Sequence, residues 1–175
     1  LSIEQKAVFR IPFNRVLKHS YINVVSSLAF VKYLPQNYHY ILSHNFNIEE
    51  VRKALMTSQT MDVKSMDGGV IDVLTIGGIR DYESNVQVVE HLANVDNVTV
   101  RFVGKGSAAP MLERFAKSIN ANNVTFEGYY HKEKEKQYIN DCTFLNIFYP
   151  RKPSHDTALS NRFYNSLIYK RPMIT

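Results

Sequence analysis

From Val70 to the C-terminus, short apolar runs alternate with amphipathic stretches, and the apolar runs end in glycine or proline. Few folds satisfy that pattern. A strand joined to the next through a helix returns in the same direction, so the strands lie parallel and the connections are crossovers. Right-handed crossovers then place helices on both faces of the sheet. The expected class is α/β, a Rossmann-like doubly wound parallel sheet over residues 70–175.

Val70 to Ile76 reads as a strand that stops at Gly77-Gly78. Tyr82 to Val95 carries apolar residues at Val86, Val89, Leu92 and Ala93, the spacing of a helix with one buried face. Val98 to Val103 is the next strand, ended by Gly104-Lys105-Gly106, and Pro110 suits the first turn of the helix that follows. Val124 to Phe126 is a third strand, His131 to Asn140 a charged helix, and Cys142 to Phe148 a strand broken by Pro150 and Pro153. A last helix is expected from Ala158 to Tyr169, with a closing strand from Arg171 to Thr175.

The first 69 residues read differently. Strands are expected at Ile22 to Ser26 and Tyr38 to Ser43, with helices at Leu28 to Leu34 and Ile48 to Met56 and a polar linker from Thr57 to Gly69. That content is small for a domain and rich in aromatics. It reads as the end of a preceding domain plus a connector, and the whole chain reads as a fragment. Among 175 residues there is one cysteine, Cys142, so no intrachain disulfide can form and a reducing compartment is expected. No two histidines have metal-ligand spacing, so no metal site is expected. No apolar run reaches the roughly 20 residues that cross a bilayer, and the N-terminus lacks the order of a signal peptide. The net charge of +5 suits the phosphates of a nucleotide, the anionic face of a cytoplasmic membrane or nucleic acid, and charge alone does not choose among them.

In an open parallel sheet, ligands lie beyond the carboxyl ends of the strands. The segments to weigh are Gly77-Gly78-Ile79-Arg80, Gly104-Lys105-Gly106-Ser107, Gly128-Tyr129-Tyr130-His131 and the stretch from Pro150 to Arg162. Glycine lets a backbone approach a ligand, though after a strand it is more often turn geometry. Gly104-Lys105-Gly106 lacks the full phosphate-loop pattern. Lys105 and the run from Lys132 to Lys136 have a plain reading as solvated charge. His155 and Asp156 make an acid/base pair without a third partner. The stretch from Arg151 to Asn165 is the most informative. It joins a strand to a helix start at Ser160 and Asn161, where free N–H groups favour an anion, with Arg151, Lys152 and Arg162 adding charge. The competing role for Thr157 or Ser160 is a helix cap.

In order and punctuation these elements resemble the C-terminal, donor-binding half of GT-B glycosyltransferases of the retaining, group 1 type. The likeness rests on Leu74 to Gly78, Arg101 to Gly106, Asn123-Val-Thr-Phe-Glu-Gly-Tyr129, Asp141 to Asn146, and Asn161 to Asn165 with Lys170 to Ile174. Asn23 to Ser27, Phe30 to Pro35 and His44-Asn45 are similar to the exit from the acceptor domain. The resemblance implies a nucleotide-diphosphate-sugar donor, with transfer to a glycan or lipid-linked acceptor in cell-surface polysaccharide biosynthesis. It also implies a cytoplasmic protein with peripheral membrane contact, without metal, cofactor or nucleic acid. The implied donor site comprises Gly77, Gly78, Arg80, Lys105, Gly128, Tyr129, Tyr130, Thr157, Ser160, Asn161, Arg162 and Asn165, with the base near Tyr129 and the diphosphate near Gly77-Gly78 and the last helix. Arg80, Lys105 and Arg162 would neutralise the leaving diphosphate. The chain departs from the family at Asn165, where a ribose-binding glutamate is usual. It departs again at Gly78 and Glu83, where arginine and lysine are common. A non-catalytic binding domain of the same fold is the alternative that those departures suggest.

Overall fold

The computed structural model describes residues 3–44, 46, 48–56, 69–149 and 160–175. They fall into two compact units, the first ending at Phe46 and the second running from Ile48 to Thr175.

The first unit opens with helix α1 (Ile3–His19), followed by strands β1 (Asn23–Val25) and β2 (Tyr40–Leu42), which pair in parallel. A 3-10 helix at Leu28–Tyr33 links them, capped by Ser27, whose hydroxyl accepts from the Ala29 N–H. Among the described residues of this unit the buried hydrophobics are Leu17 and Val25, while Val8, Phe9, Ile11 and Val16 are exposed along α1. The sequence pattern gives no element ahead of Ile22. Pro12 lies inside α1, and among its described side chains Leu17 is buried while Val8, Phe9, Ile11 and Val16 are exposed, so the usual periodic signal is weak.

The second unit starts with helix α2 (Ile48–Met56), which packs on the last helix of the chain. Its sheet is formed by β3 (Ile71–Ile76), β4 (Val98–Val103), β5 (Val124–Gly128), β6 (Phe144–Asn146) and β7 (Met173–Ile174). The strands are all parallel, in the order β5-β4-β3-β6-β7. Helices α3 (Tyr82–Leu92), α4 (Ala109–Ser118), α5 (Glu135–Asp141) and α6 (Asn161–Ile168) make the connections. The expected doubly wound sheet is therefore present.

Two cores sandwich it. On one face Val73, Val100 and Phe102 meet Val88 and Val89 of α3 and Leu112 and Ala116 of α4. On the other, Leu74, Ile76, Val103 and Leu145 meet Ile139 of α5 and Cys142. Alternate residues of β3 thus serve opposite faces, and a strand covered on both sides must read as continuously apolar.

Some boundaries move. The helix expected from His131 is split into a 3-10 turn at Lys132–Lys134 and α5. The strand expected over Cys142 to Phe148 pairs only over Phe144–Asn146. The last helix starts at Asn161, where Ser160 caps it by accepting from the Phe163 N–H at 3.3 Å.

Candidate functional site

The chain leaves β3 toward β4 on one side and returns to β6 on the other, so the sheet order reverses between β3 and β6. In open parallel sheets such a switch point is where ligands lie beyond the strand C-termini, here next to the N-termini of α3 and α6.

On the β4 side the glycine turns are knitted together by backbone. The Gly77 N–H donates to the Val103 carbonyl at 2.9 Å, Ile79 N–H to Lys105 at 3.2 Å, and Gly104 N–H to Gly128 at 2.6 Å. A Cβ on Gly104 would lie 2.0 Å from the Gly77 carbonyl oxygen, and one on Gly106 would lie 2.0 Å from that of Ile79. Gly104 and Gly106 are there because two backbones touch. Gly77 and Gly128 differ in facing open space, although like Gly104 they have positive φ, at 102° and 72°. Arg80 is exposed and its guanidinium lies over Gly78. Lys105 is exposed too, its Nζ 5.6 Å from the ring centre of Tyr129, which meets His131 edge-on at 5.4 Å.

On the β6 side, buried polar side chains do the joining. Asn146, fully buried, donates to the Thr75 hydroxyl at 2.8 Å and to Asn85 Oδ1 at 3.4 Å, and accepts from the Phe148 N–H at 3.0 Å. Asn85 donates on to the Asp81 carbonyl, and Ser84 donates to the Asp81 carboxylate at 2.7 Å, fixing the start of α3. Arg162, 9% exposed, donates to the Asn146 carbonyl at 3.0 Å and to the Tyr149 hydroxyl, and its guanidinium lies 4.8 Å above the Tyr149 ring. Burial depresses its pKa, with Tyr149 and Tyr130 opposing that shift. Among the described residues no carboxylate forms an ion pair with Arg162. A buried cation held only by neutral groups is poised for an anion.

A second cluster centres on Glu135, at the start of α5. Its carboxylate accepts from the Tyr130 hydroxyl at 2.5 Å, from Lys132 Nζ at 2.5 Å and from Asn165 Nδ2 at 3.1 Å. Burial, then the bond to Glu135, raises the Tyr130 pKa, so its phenol stays protonated and donates. The structure therefore brings Tyr130 and Asn165 to one carboxylate, within electrostatic reach of Arg162. Lys105 meets Tyr129, and Arg80 meets Gly78, as separate pairs. Ser160 is engaged as a cap, Asn161 is exposed beside it, and Thr157 lies outside the described residues, as do Arg151, Lys152, His155 and Asp156.

Tyr149 and Glu135 are not signalled by any motif, and Asn146 lies in the Asp141-to-Asn146 strand of the resemblance without a site role being read from it. An amide side chain inside the mostly apolar run from Cys142 to Phe148 is a usable sign for Asn146. Nothing distinguishes Glu135 within its lysine-glutamate run.

By sequence, no family model and no curated protein matches the chain. By structure, it is similar to Alr3699/HepE of Anabaena solved in complex with UDP and glucose, with a TM-score of 0.66 and 14% identity over 98% of this chain and 49% of that one. The same protein solved in complex with UDP gives a TM-score of 0.70, again at 14% identity, over 99% and 50%. The chain thus spans about half the length of those structures. At this identity the likeness shows the fold, a Rossmann-like parallel half of the GT-B kind preceded by a smaller α/β unit.

Proposed function

We propose that the chain binds a nucleotide-diphosphate sugar in the crevice between β3 and β6, as the donor half of a glycosyltransferase. The observation that carries this reading is Arg162, a buried guanidinium at the switch point held by the Asn146 carbonyl and the Tyr149 hydroxyl. A diphosphate would give it the charged partner that no described residue supplies. The fold likeness to a protein solved with UDP supports the nucleotide as the ligand.

The residues divide the donor among them. Gly77 and Gly128, open above their backbones, allow close approach. Tyr129, 66% exposed, offers a ring face for the base. Arg80 and Lys105, exposed at the ends of β3 and β4, can swing onto the diphosphate beside the fixed Arg162. As the glycosidic bond breaks, negative charge accumulates on the departing diphosphate, and preset cations lower the barrier by stabilising it. No resident metal or cofactor has a part in this scheme. The sugar would pass to a glycan or lipid-linked acceptor held across a cleft, on the cytoplasmic side of a membrane to which the basic chain adheres peripherally. The chain by itself is then expected to bind donor without transferring sugar.

A non-catalytic nucleotide- or sugar-binding role is the second reading. It is favoured by Asn165, which brings an amide to a position where a charged group is usual in the family. Calorimetric titration of the chain with UDP, GDP and their glucose and mannose conjugates tests the donor reading. Saturable binding is expected, weakened at least tenfold in Arg162→Met. No heat at millimolar nucleotide, or a free sugar bound as tightly as its nucleotide conjugate, would overturn it.

A further inference from the structure

Arg162 draws both of its described partners from the exit of one strand. Asn146, the last residue of β6, offers its carbonyl to Nη1, and Tyr149 just beyond it offers its hydroxyl oxygen to Nη2. The backbone between the two is tied down, because the Phe148 N–H donates to the Asn146 side chain at 3.0 Å. Tyr149 holds the cation a second time through its ring, whose centre lies 4.8 Å from the guanidinium carbon. A buried cation needs compensation. The usual compensation is a carboxylate, which cancels the charge and competes with any anionic ligand. A ring face and two neutral acceptors stabilise the cation and cancel none of its charge. A guanidinium carries five N–H hydrogens in one plane, and the described residues accept two of them, one from each terminal nitrogen. Its plane and the direction of its remaining donors are thus set before any ligand arrives.

We propose that Tyr149 is the positioning residue of the phosphate site: its ring and hydroxyl aim the Arg162 guanidinium and leave its charge available. Tyr149 acts on the ligand through Arg162. Asn146 alone, bound to one terminal nitrogen, would leave the guanidinium free to pivot about that bond. The Tyr149 hydroxyl pins the other terminal nitrogen, and the ring face supports the plane. A diphosphate then meets donors that are already fixed, so the cost of ordering a long side chain is met in folding and not in binding. Arg80 and Lys105 are exposed and adjust to the ligand instead. This inference rests on the nucleotide reading above, although the aim of Arg162 can be read without a ligand.

Two NMR measurements on the whole chain test it. The first needs no ligand and follows the arginine side-chain N–H signals at low temperature. In the natural protein the terminal N–H groups of Arg162 are expected as separate, slowly rotating signals, shifted upfield by the Tyr149 ring. Tyr149→Phe should keep the ring shift and merge those signals, and Tyr149→Leu should lose both features. Averaged, unshifted Arg162 signals in the natural protein would overturn the proposal even if no variant folds. The second is a double-mutant cycle on the affinity for UDP or GDP, whichever binds more tightly, by titrations that reach millimolar ligand. Tyr149→Phe should weaken binding about tenfold, a typical consequence of losing a hydrogen bond to a charged group. In an Arg162→Met background the same substitution should change the affinity by less than about twofold. Equal losses in the two backgrounds would mean a direct or merely structural role and would overturn the proposal. So would an unchanged affinity in Tyr149→Phe, and in both cases the nucleotide reading would still stand. Failure of the natural protein to bind any nucleotide would remove both.

Discussion

The two sides of β3 close their upper ends by different means. Toward β4 and β5, turn backbones touch: Gly77 donates to the Val103 carbonyl and Gly104 to that of Gly128, and side chains have no room at Gly104 or Gly106. Toward β6, buried side chains do the same work through Asn146, Thr75, Asn85 and Arg162. Main-chain contacts tolerate almost any sequence beyond their glycines and discriminate little. Side-chain contacts carry donors, acceptors and charge, so in the proposed reading the fixed charge that holds a ligand lies on the β6 side. The difference separates glycines that build the scaffold from groups that can read a ligand.

The sharpest way to break that contrast is Gly106→Ala. The new methyl would need the Ile79 carbonyl to retreat from 2.0 Å, shifting the backbone that joins β3 to α3. A stability loss of roughly 4 kcal/mol is expected in chemical denaturation, or failure to fold. A loss under about 1 kcal/mol would show that the turns are not packed as described. On the other side, Asn146→Ala strands the Phe148 N–H and the Thr75 hydroxyl, for an expected loss of about 2 kcal/mol. If the β6 side reads the ligand, this variant should also weaken nucleotide binding, because the Asn146 backbone positions Arg162. A fully stable Asn146→Ala protein would contradict the role given to that network.

The smallest effect concerns pH. Cys142 is buried, and desolvation, then Asp72, raises its thiol from 9.0 to about 11. Above pH 9 the unfolded chain loses this proton while the folded chain keeps it, so unfolding releases a proton and stability falls as pH rises. The contribution is complete below pH 9 and lost through pH 11. Buried tyrosines such as Tyr130, raised above 10.0, add the same sign from about pH 10 upward. Thermal midpoints between pH 8 and 10 should decline less in Cys142→Ala than in the natural protein. Equal slopes would mean that the thiol is not shielded.

The parts of this molecule legible from sequence are those where one residue type answers one physical demand. Continuous apolar runs at β3 and β4 report burial on both faces, and glycine after each strand reports a tight turn. The asparagines were less plain. Asn123, within the run that resembles the family, proves to tie the opposite end of the sheet, donating to the carbonyls of Leu92 and Val98 at 2.8 and 2.9 Å. Arg162 was expected on a diphosphate from its place near a helix start, but how it is buried and held depends on Tyr149 and Asn146, partners distant in the chain. Glu135 was hidden because its role comes from tertiary contact with Tyr130 and Asn165, in a segment whose composition reads as solvated charge. Helix α1 is hard to read for the reverse reason, since most of its described apolar side chains, Val8, Phe9, Ile11 and Val16, are exposed.

The most direct test of the central claim is a heteronuclear NMR titration of the labelled chain with UDP and UDP-glucose. The account predicts saturable shifts at Gly77, Gly78, Tyr130, Arg162 and Asn165, around the crevice between β3 and β6. It also predicts no response in the shallow hollow of about 300 Å³ between α4 and β5, lined by Glu113, Lys117 and Phe126. Shifts confined to that hollow, or none at millimolar ligand, would contradict it.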